Sequence, residues 1–448
     1  MSNSRMPAAL AIAAPRHLTN ARRHTQPRRA VGGADIAGSL MVVVPFLLGA
    51  YLATGMPLFQ LGMYGVCIVV VLPHIAPFAA SLGRHPANLL LVLVFTALGI
   101  STCAVFARVP WAEATLEFKA LAATAVWASI YVVVFSCVRT SDDVRRFIQW
   151  ISFACLVITG SVYLAAAAHA VGISFGEVLE FRTGDIRVFG PLGDQVGFIL
   201  VIPALMSLVA SRPIMFAFHV GAVLMTATRG AAVCLVFGVL AYLVMVAFGR
   251  IRRNRSRMNR GVTTAAMIAI VAGIVWFTPV STALVGRMLE SAQDSGYSLR
   301  LTAIETGIKV FRDNLLLGVG FNGFANGRPA VADDWLNPLS AVNGLSRVAN
   351  QYVQTATDGG AVALLLFVLF VICAGRNAFR VTGGREATPE LLGLQLWLIS
   401  VLAGNQGALW FLSSAASGYF IFAVAGLAAR VSSMAAAEAA PRRRLGLL

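Results

Sequence analysis

Three arginines have the chemistry and the placement to bind an anion: Arg187, Arg229 and Arg300. Each lies beside glycine or polar residues at the end of an apolar or amphipathic stretch. All three fall on one predicted face of a membrane protein, opposite to the face that holds most of the basic residues. Because a guanidinium binds phosphate through planar, paired hydrogen bonds, these arginines predict a site for a strongly anionic ligand such as a lipid pyrophosphate.

Arg229 lies between two apolar stretches and is followed by Gly230. A charge at that depth costs a few kcal/mol unless it is paired or hydrated. Gly230 leaves room for a ligand close to the backbone, which favours a binding role for both residues. The alternative is an arginine that reaches water from the end of a helix.

Arg187 precedes a segment rich in glycine and proline that leads into the next apolar stretch, whose N-terminus favours anions. Asp194 in that segment either caps the following helix or pairs with Arg187. Arg300 opens an amphipathic stretch, where it either faces a charged headgroup or stays in water. Two or three such arginines would bind a diphosphate and stabilise it as a leaving group.

The composition is that of a membrane protein. The chain has 448 residues, of which 58% are apolar and 12% are charged, whereas a soluble domain carries about 25% charged residues. The net charge of +16 is explained by basic residues in cytoplasmic loops, which set topology and contact membrane lipids. Nucleic-acid binding is not expected, because the chain contains no basic soluble domain.

Hydropathy predicts an all-α polytopic membrane protein with about 12 transmembrane helices. The predicted spans are 36–54, 58–77, 87–107, 118–138, 147–170, 196–210, 213–228, 231–248, 262–281, 359–375, 390–404 and 408–428. With both termini in the cytoplasm, most basic residues fall in cytoplasmic loops and tails, which supports this orientation.

The spans divide the chain into five regions. They are a cytoplasmic basic tail (1–31), transmembrane helices 1 to 9 (32–281), a long extracytoplasmic loop (282–358), helices 10 to 12 (359–430) and a second basic tail (431–448). A loop of that length is usually functional or contains structure of its own.

The long loop contains a predicted amphipathic helix. Its apolar residues repeat at spacings of three and four: Leu301, Ile304, Ile308, Phe311 and Leu315. We expect this helix to lie along the membrane interface or over the mouth of the bundle, and to end at Gly318 and Gly320.

No metal or cofactor is expected. The six cysteines all lie in apolar stretches, and none has the spacing of a metal ligand. The adjacent acids Asp333 and Asp334 are interpreted as an exposed charged turn, although paired acids can hold Mg²⁺.

Four segments, in order between about 185 and 370, resemble the O-antigen ligase and O-antigen polymerase superfamily of bacterial surface-glycan enzymes. They are Arg187-x-x-Gly190; Thr228-Arg229-Gly230-Ala231; Arg300 with the later stretch Asn314 to Phe324; and Asn350 to Gln354 with Asp358-Gly359-Gly360. Each segment alone is a weak signal, and their order on one predicted face makes the resemblance specific.

The resemblance implies a GT-C-like glycosyltransferase of the bacterial inner membrane, with its long loop and active site on the periplasmic face. It would move a glycan from an undecaprenyl diphosphate carrier to a hydroxyl of an acceptor glycan or of lipid A-core. Arg229 and Arg300 would hold the diphosphate, with Arg187 contributing. The residues that would bind substrate are Asn350, Tyr352, Asp194 and Gly230. Neither a nucleotide sugar nor a metal is implied.

One position departs from the family pattern. Ligases place a histidine directly before the Asn350 position, as the proposed base for the acceptor hydroxyl, and this chain has Ala349. Three interpretations follow. The protein is a polymerase or exopolysaccharide enzyme that uses another base, such as Asp194, Glu290 or His169. Alternatively, it is an enzyme that works mainly by positioning its substrates and stabilising the leaving group, or it is an inactive ligase homologue.

A transporter or flippase for a lipid-linked glycan is the alternative from another class. That function requires charged residues near the middle of the membrane, along a path to both faces. The predicted spans are nearly free of ionisable residues, which favours the transferase.

Overall fold

The apolar stretches of the chain form long helices. The computed structural model describes residues 32–106, 109, 111–171, 179–182, 185–188, 192, 195–226, 228–247, 295–324, 348, 350–382, 388–404 and 415–444. The helices in these ranges are α1 Gly33–Thr54, α2 Pro57–Ala79, α3 Pro86–Phe106, α4 Trp111–Cys137, α5 Ser141–Ala170, α6 Val196–Val209, α7 Pro213–Met225, α8 Arg229–Ala247, α9 Ser295–Asp313, α10 Gln351–Thr382, α11 Pro389–Gly404 and α12 Ala415–Arg444.

Within the described ranges, seven helices are long and apolar enough to cross a membrane, and four shorter apolar helices accompany them. Each of these helices overlaps a predicted span, although α10 begins before its span and α12 continues past the end of its span to Arg444, into the predicted tail. The predicted span 262–281 lies outside the described residues, so the total of twelve stays a prediction, as do the five regions. The protein is a polytopic membrane protein built from helices.

Local sequence signals set several helix starts. Proline occupies the first turn of α2 and of α7, where its missing N–H costs nothing. At the start of α5, the Asp143 carboxylate accepts hydrogen bonds from the N–H groups of Arg139 and Thr140, at 3.1 and 3.0 Å. The Thr140 hydroxyl accepts the N–H of Asp143 in return, at 3.1 Å, which completes a reciprocal cap.

The core of the bundle is formed around α6, every residue of which is buried. α6 packs against α7, α8 and α11. The indole N–H of Trp397 on α11 donates to the Phe198 carbonyl oxygen at 2.9 Å, and Gly393 lies against the backbone of Met206. On the other side of the bundle, α1 packs on α5, α4 packs on α2 and α12, and α3 packs on α10.

Charged contacts gather at the helix ends that the predicted topology places in the cytoplasm. Asp35 pairs with Arg146 at 3.4 Å, and Glu390 pairs with Arg212 at 3.2 Å. The Arg430 guanidinium donates to the carbonyl oxygen of Val138 at 2.7 Å. Partly exposed ion pairs of this kind contribute about 0–1 kcal/mol to stability. They are informative mainly because they lie together at one end of the bundle.

Two elements lie between the spans. A short antiparallel hairpin, β1 Leu179–Arg182 and β2 Asp185–Val188, lies between α5 and α6 and was not predicted from hydropathy. The predicted amphipathic helix of the long loop is confirmed as α9. It ends at Asp313, earlier than expected, and the glycines expected to stop it belong to a separate turn.

The buried side chain of Gln395 allows a test of how the helices pack. Gln395 on α11 has no exposed surface, and both atoms of its amide lack a hydrogen-bond partner among the described residues. A buried polar group without a partner costs about 1–3 kcal/mol. We expect Gln395→Leu to raise the midpoint of thermal unfolding in detergent, because leucine keeps the volume and removes the amide.

Gln395→Ala is the matched control and should lower the midpoint, since it removes the amide but leaves a cavity. If Gln395→Leu lowers the midpoint as much as Gln395→Ala does, the amide is bonded in the folded protein and the explanation is wrong.

Candidate functional site

Helix α10 is broken near its start. At Gly360 the backbone has φ 70° and ψ −168°, which divides the helix into a short first part and a long apolar second part. The first part carries polar side chains that are nevertheless buried: Gln351, Gln354, Thr355, Thr357 and Asp358. It begins eight residues before the predicted span, because other parts of the protein cover its polar surface.

Asn350 caps the first part of α10. Its side-chain oxygen accepts the N–H groups of Tyr352 and Val353, at 2.9 and 3.2 Å, as the residue before a helix commonly does. The ring of Tyr352 is half-buried and lies 5.7 Å from the ring of Phe367. These contacts give Asn350 and Tyr352 a structural role. That they also contact substrate stays a prediction.

Residues 314–324, which we call the glycine turn, run alongside the break. The N–H groups of Val319 and Gly320 donate to the carbonyl oxygens of Thr357 and Asp358, at 2.9 and 3.0 Å. The N–H of Ala361, just after the break, donates to the carbonyl oxygen of Leu315 at 2.7 Å. The glycine turn therefore supplies the hydrogen bonds that the break removes from the helix.

Two hydroxyl groups at the end of α3 add hydrogen bonds to the glycine turn and to α10. The hydroxyl of Ser101 lies between the carbonyl oxygens of Leu317 and Asp358, and its bond to Asp358 measures 2.6 Å. The Thr102 hydroxyl accepts the N–H of Phe321 at 3.0 Å. Both hydroxyl residues are fully buried. We call this joined unit of α3 end, glycine turn and broken α10 the brace.

A buried carboxylate borders the brace. Glu117 on α4 has no exposed surface, and its carboxylate lies against Gly320. Gly320 has φ 91°, and a side chain at this position would collide with that carboxylate, so both the backbone and the contact require glycine. Hydropathy placed the start of this span at 118, one residue too late to include Glu117, which explains why the sequence analysis missed it.

Gln354 connects the end of the long loop to the brace. Its side-chain oxygen accepts the N–H of Val348 at 2.8 Å, and its side-chain N–H donates to the Asp358 carboxylate at 2.7 Å. Asp358 is only 3% exposed. The two bonds hold the backbone directly before position 349, which lies outside the described residues. This connection was also missed, because the sequence placed Gln354 in the loop.

The helix that carries Arg300 packs on the brace. Gly307 of α9 lies against the side chains of Val348 and Val353, and its carbonyl oxygen accepts the Thr357 hydroxyl at 3.2 Å. The backbone of Arg300 lies in α9, while its side chain lies outside the described residues.

The other predicted arginines lie on different elements. Arg229 begins α8, and Gly230 is half-buried in its first turn. This end of α8 meets the start of α6, where Gly197 lies against Thr226 and Thr228. The Arg187 backbone pairs with Glu180 in the hairpin. The side chains of Arg187 and Arg229, and all of Asp194, lie outside the described residues.

Two different helix contacts therefore position the backbones of Arg300 and Arg229. α9, which carries Arg300, packs on α10, and α6 packs on α8, which begins at Arg229. α11 packs on both α10 and α8 and so connects the two contacts.

The expectation that the protein needs no metal or cofactor stays a prediction. Among the described residues, no cluster of His, Cys, Asp or Glu has the geometry to hold a metal ion.

The break at Gly360 generates a test. Gly360→Ala should lower the midpoint of thermal unfolding, because a positive φ costs an alanine about 1–2 kcal/mol and its side chain would collide with the Leu316 backbone. Gly65→Ala in α2 is the matched control, since nothing lies near its added carbon. That change should stabilise the helix by about 0.5–1 kcal/mol. Equal effects of the two changes would contradict the assigned role of Gly360.

The bond between Gln354 and Asp358 can be measured with a double-mutant cycle. We expect the losses of unfolding free energy in Gln354→Leu and Asp358→Ala to be non-additive by about 0.5–3 kcal/mol, because each change alone removes the bond that the two side chains share. The four proteins of the cycle are compared by thermal unfolding in the same detergent. Additive losses would show that the two side chains act independently.

Comparison with known proteins relates part of this site to a family. Residues 214–368 match a family model described as O-antigen ligase. The match runs from α7 into α10 and includes Arg229, Arg300 and most of the brace, whereas Arg187 lies before it. The comparison with curated proteins gave no match. The matched segment covers less than half of the chain, and its similarity to the O-antigen ligase family supports the resemblance that the motifs indicate.

Proposed function

We propose that the protein is an inner-membrane glycosyltransferase of the O-antigen or exopolysaccharide polymerase or ligase type. It moves a glycan from an undecaprenyl diphosphate carrier to a hydroxyl of an acceptor glycan or of lipid A-core. The observation that carries this proposal is the match of residues 214–368 to the O-antigen ligase family. That segment contains the two arginines expected to bind diphosphate and most of the brace, on which the helix of one of them packs.

In the proposed reaction, the acceptor oxygen forms a bond to the anomeric carbon of the donor sugar. The bond between that carbon and the diphosphate oxygen breaks, and undecaprenyl diphosphate leaves with the electron pair. Arg229 and Arg300, with help from Arg187, stabilise the charge that develops on the diphosphate. Each charge-assisted hydrogen bond contributes about 1.5–3 kcal/mol. We expect no metal to be needed.

The acceptor hydroxyl must lose its proton, and Ala349 has no group that accepts one. The sequence offers Asp194, Glu290 and His169 for this role. The brace adds two carboxylates to these, because Glu117 and Asp358 are both buried beside the glycine turn. General-base help of this kind contributes about 10²–10⁴-fold in rate.

We place the reaction on the periplasmic face. The end of α3, the start of α4 and the start of α10 meet at the brace, and the topology assigns all three to that face. The charged contacts Asp35 with Arg146 and Arg212 with Glu390 lie at the opposite helix ends. This separation supports the assigned orientation, with both termini in the cytoplasm.

Loss of the predicted diphosphate contacts tests the function. Arg229→Ala and Arg300→Ala should each lower surface glycan assembly by at least about tenfold, because each removes one or more charge-assisted bonds. Lysine at either position should retain part of the activity, since it keeps the charge and loses the paired geometry. The readout is the size profile of surface glycan and of carrier-linked glycan in a strain that lacks the chromosomal copy.

Arg312→Ala is the matched control, because this exposed arginine lies on the same helix as Arg300. Its glycan profile should be unchanged. Single repeat units trapped on the carrier would identify a polymerase, and long chains trapped there would identify a ligase. Normal glycan in both Arg229→Ala and Arg300→Ala, with normal membrane insertion, would overturn the proposed function.

A further inference from the structure

Helix α9 has three distinct faces. The first is the face that packs on the brace, and its residues are buried: Ala303, Thr306, Gly307 and Val310. These residues are small or β-branched, which lets α9 approach the start of α10 closely. The apolar stripe predicted from the sequence is not this face, so the stripe does not provide the packing against the protein.

The predicted stripe forms the second face. Leu301 and Ile308 are exposed, and Ile304 and Phe311 are half-buried. The third face is charged and exposed, and consists of Glu305, Lys309, Arg312 and Asp313. A helix with one face on protein, one apolar and one charged matches a boundary between protein, lipid and water.

The apolar face continues into the glycine turn. Leu315, Leu316 and Leu317 follow one another in the chain and are 52%, 69% and 42% exposed. We call these three leucines, with Leu301 and Ile308, the leucine patch. Three consecutive exposed leucines are unusual on a surface in water, where contiguous apolar patches mark sites of interaction.

The position of the leucine patch identifies what covers it. The backbone bond from Ala361 to Leu315 joins the patch to the second part of α10. There the outward residues Val362 and Leu365, 50% and 60% exposed, begin a membrane-spanning surface. The patch is thus continuous with a surface that lipid must cover, and the charged face of α9 bounds it on the other side.

We propose that the leucine patch is a membrane-interface anchor, embedded in the acyl chains of the outer leaflet, with the charged face of α9 in water. The bilayer, and not a second protein, is the occupant. The anchor sets the depth of the glycine turn and hence of the brace relative to the lipid headgroups. It therefore holds the site at the level where the diphosphate of a lipid-linked donor lies, a consequence that rests on the proposed function.

The test measures contact with lipid directly and uses no enzymatic readout. Nitroxide labels are placed on the full-length protein by Leu316→Cys, Ile308→Cys and, as the matched control on the charged face, Lys309→Cys. The background carries Cys103→Ser and Cys373→Ser, because the other four cysteines are buried. The proteins are reconstituted in nanodiscs of phosphatidylethanolamine and phosphatidylglycerol. Power saturation then compares collisions with oxygen, which enters lipid, and with a water-soluble nickel chelate.

We expect the ratio of oxygen to nickel collisions to be several-fold higher at 308 and 316 than at 309. A ratio at 308 and 316 equal to that at 309 would show that water covers the leucine patch and would overturn the anchor. Exclusion of both reagents at 316 would show that protein covers it, which also overturns the proposal. Either outcome leaves the proposed glycosyl transfer untouched, because that function is tested by the arginine variants.

Discussion

The arrangement of the candidate site depends on the exchange of backbone hydrogen bonds at the break in α10. Inside a membrane protein a break in a helix exposes N–H and carbonyl groups that water cannot reach, and each unsatisfied group costs several kcal/mol. The glycine turn satisfies them from Val319, Gly320 and Leu315, and Ser101 adds a bond from α3. Because neither segment is complete without the other, the end of α9 and the start of α10 are held in one geometry.

The predictable part of the fold is the part that contacts lipid. Lipid requires long apolar stretches, so hydropathy located the spans and periodicity located α9 in the long loop. Where protein covers a helix, that requirement disappears, and polar residues such as Gln354 and Asp358 can lie in a buried helical turn. The sequence therefore placed them in a loop, although both are part of the brace, and it placed Glu117, which borders the brace, just outside a span.

The candidate arginines illustrate a different limit. Family motifs identified Arg229 and Arg300, and the match to residues 214–368 supports both positions. The motifs did not indicate which surfaces hold these residues, because packing of α9 on α10 and of α8 on α6 depends on small residues such as Gly307 and Gly197. Glycines at helix contacts are common in membrane proteins, so their role emerges only when the opposing helix is known.

The length of α6 has a consequence for the depth at which its two ends lie. This buried helix has 14 residues and rises about 21 Å at 1.5 Å per residue, less than the hydrocarbon thickness of about 30 Å. It starts beside Thr228, directly before Arg229, and ends near the contact of Arg212 with Glu390. A helix this short cannot bring both of its ends to the surface of an undeformed bilayer. Because protein covers all of α6, at least one of its ends stops at the depth of the acyl chains, where its backbone groups must be satisfied by protein or enclosed water rather than by headgroups.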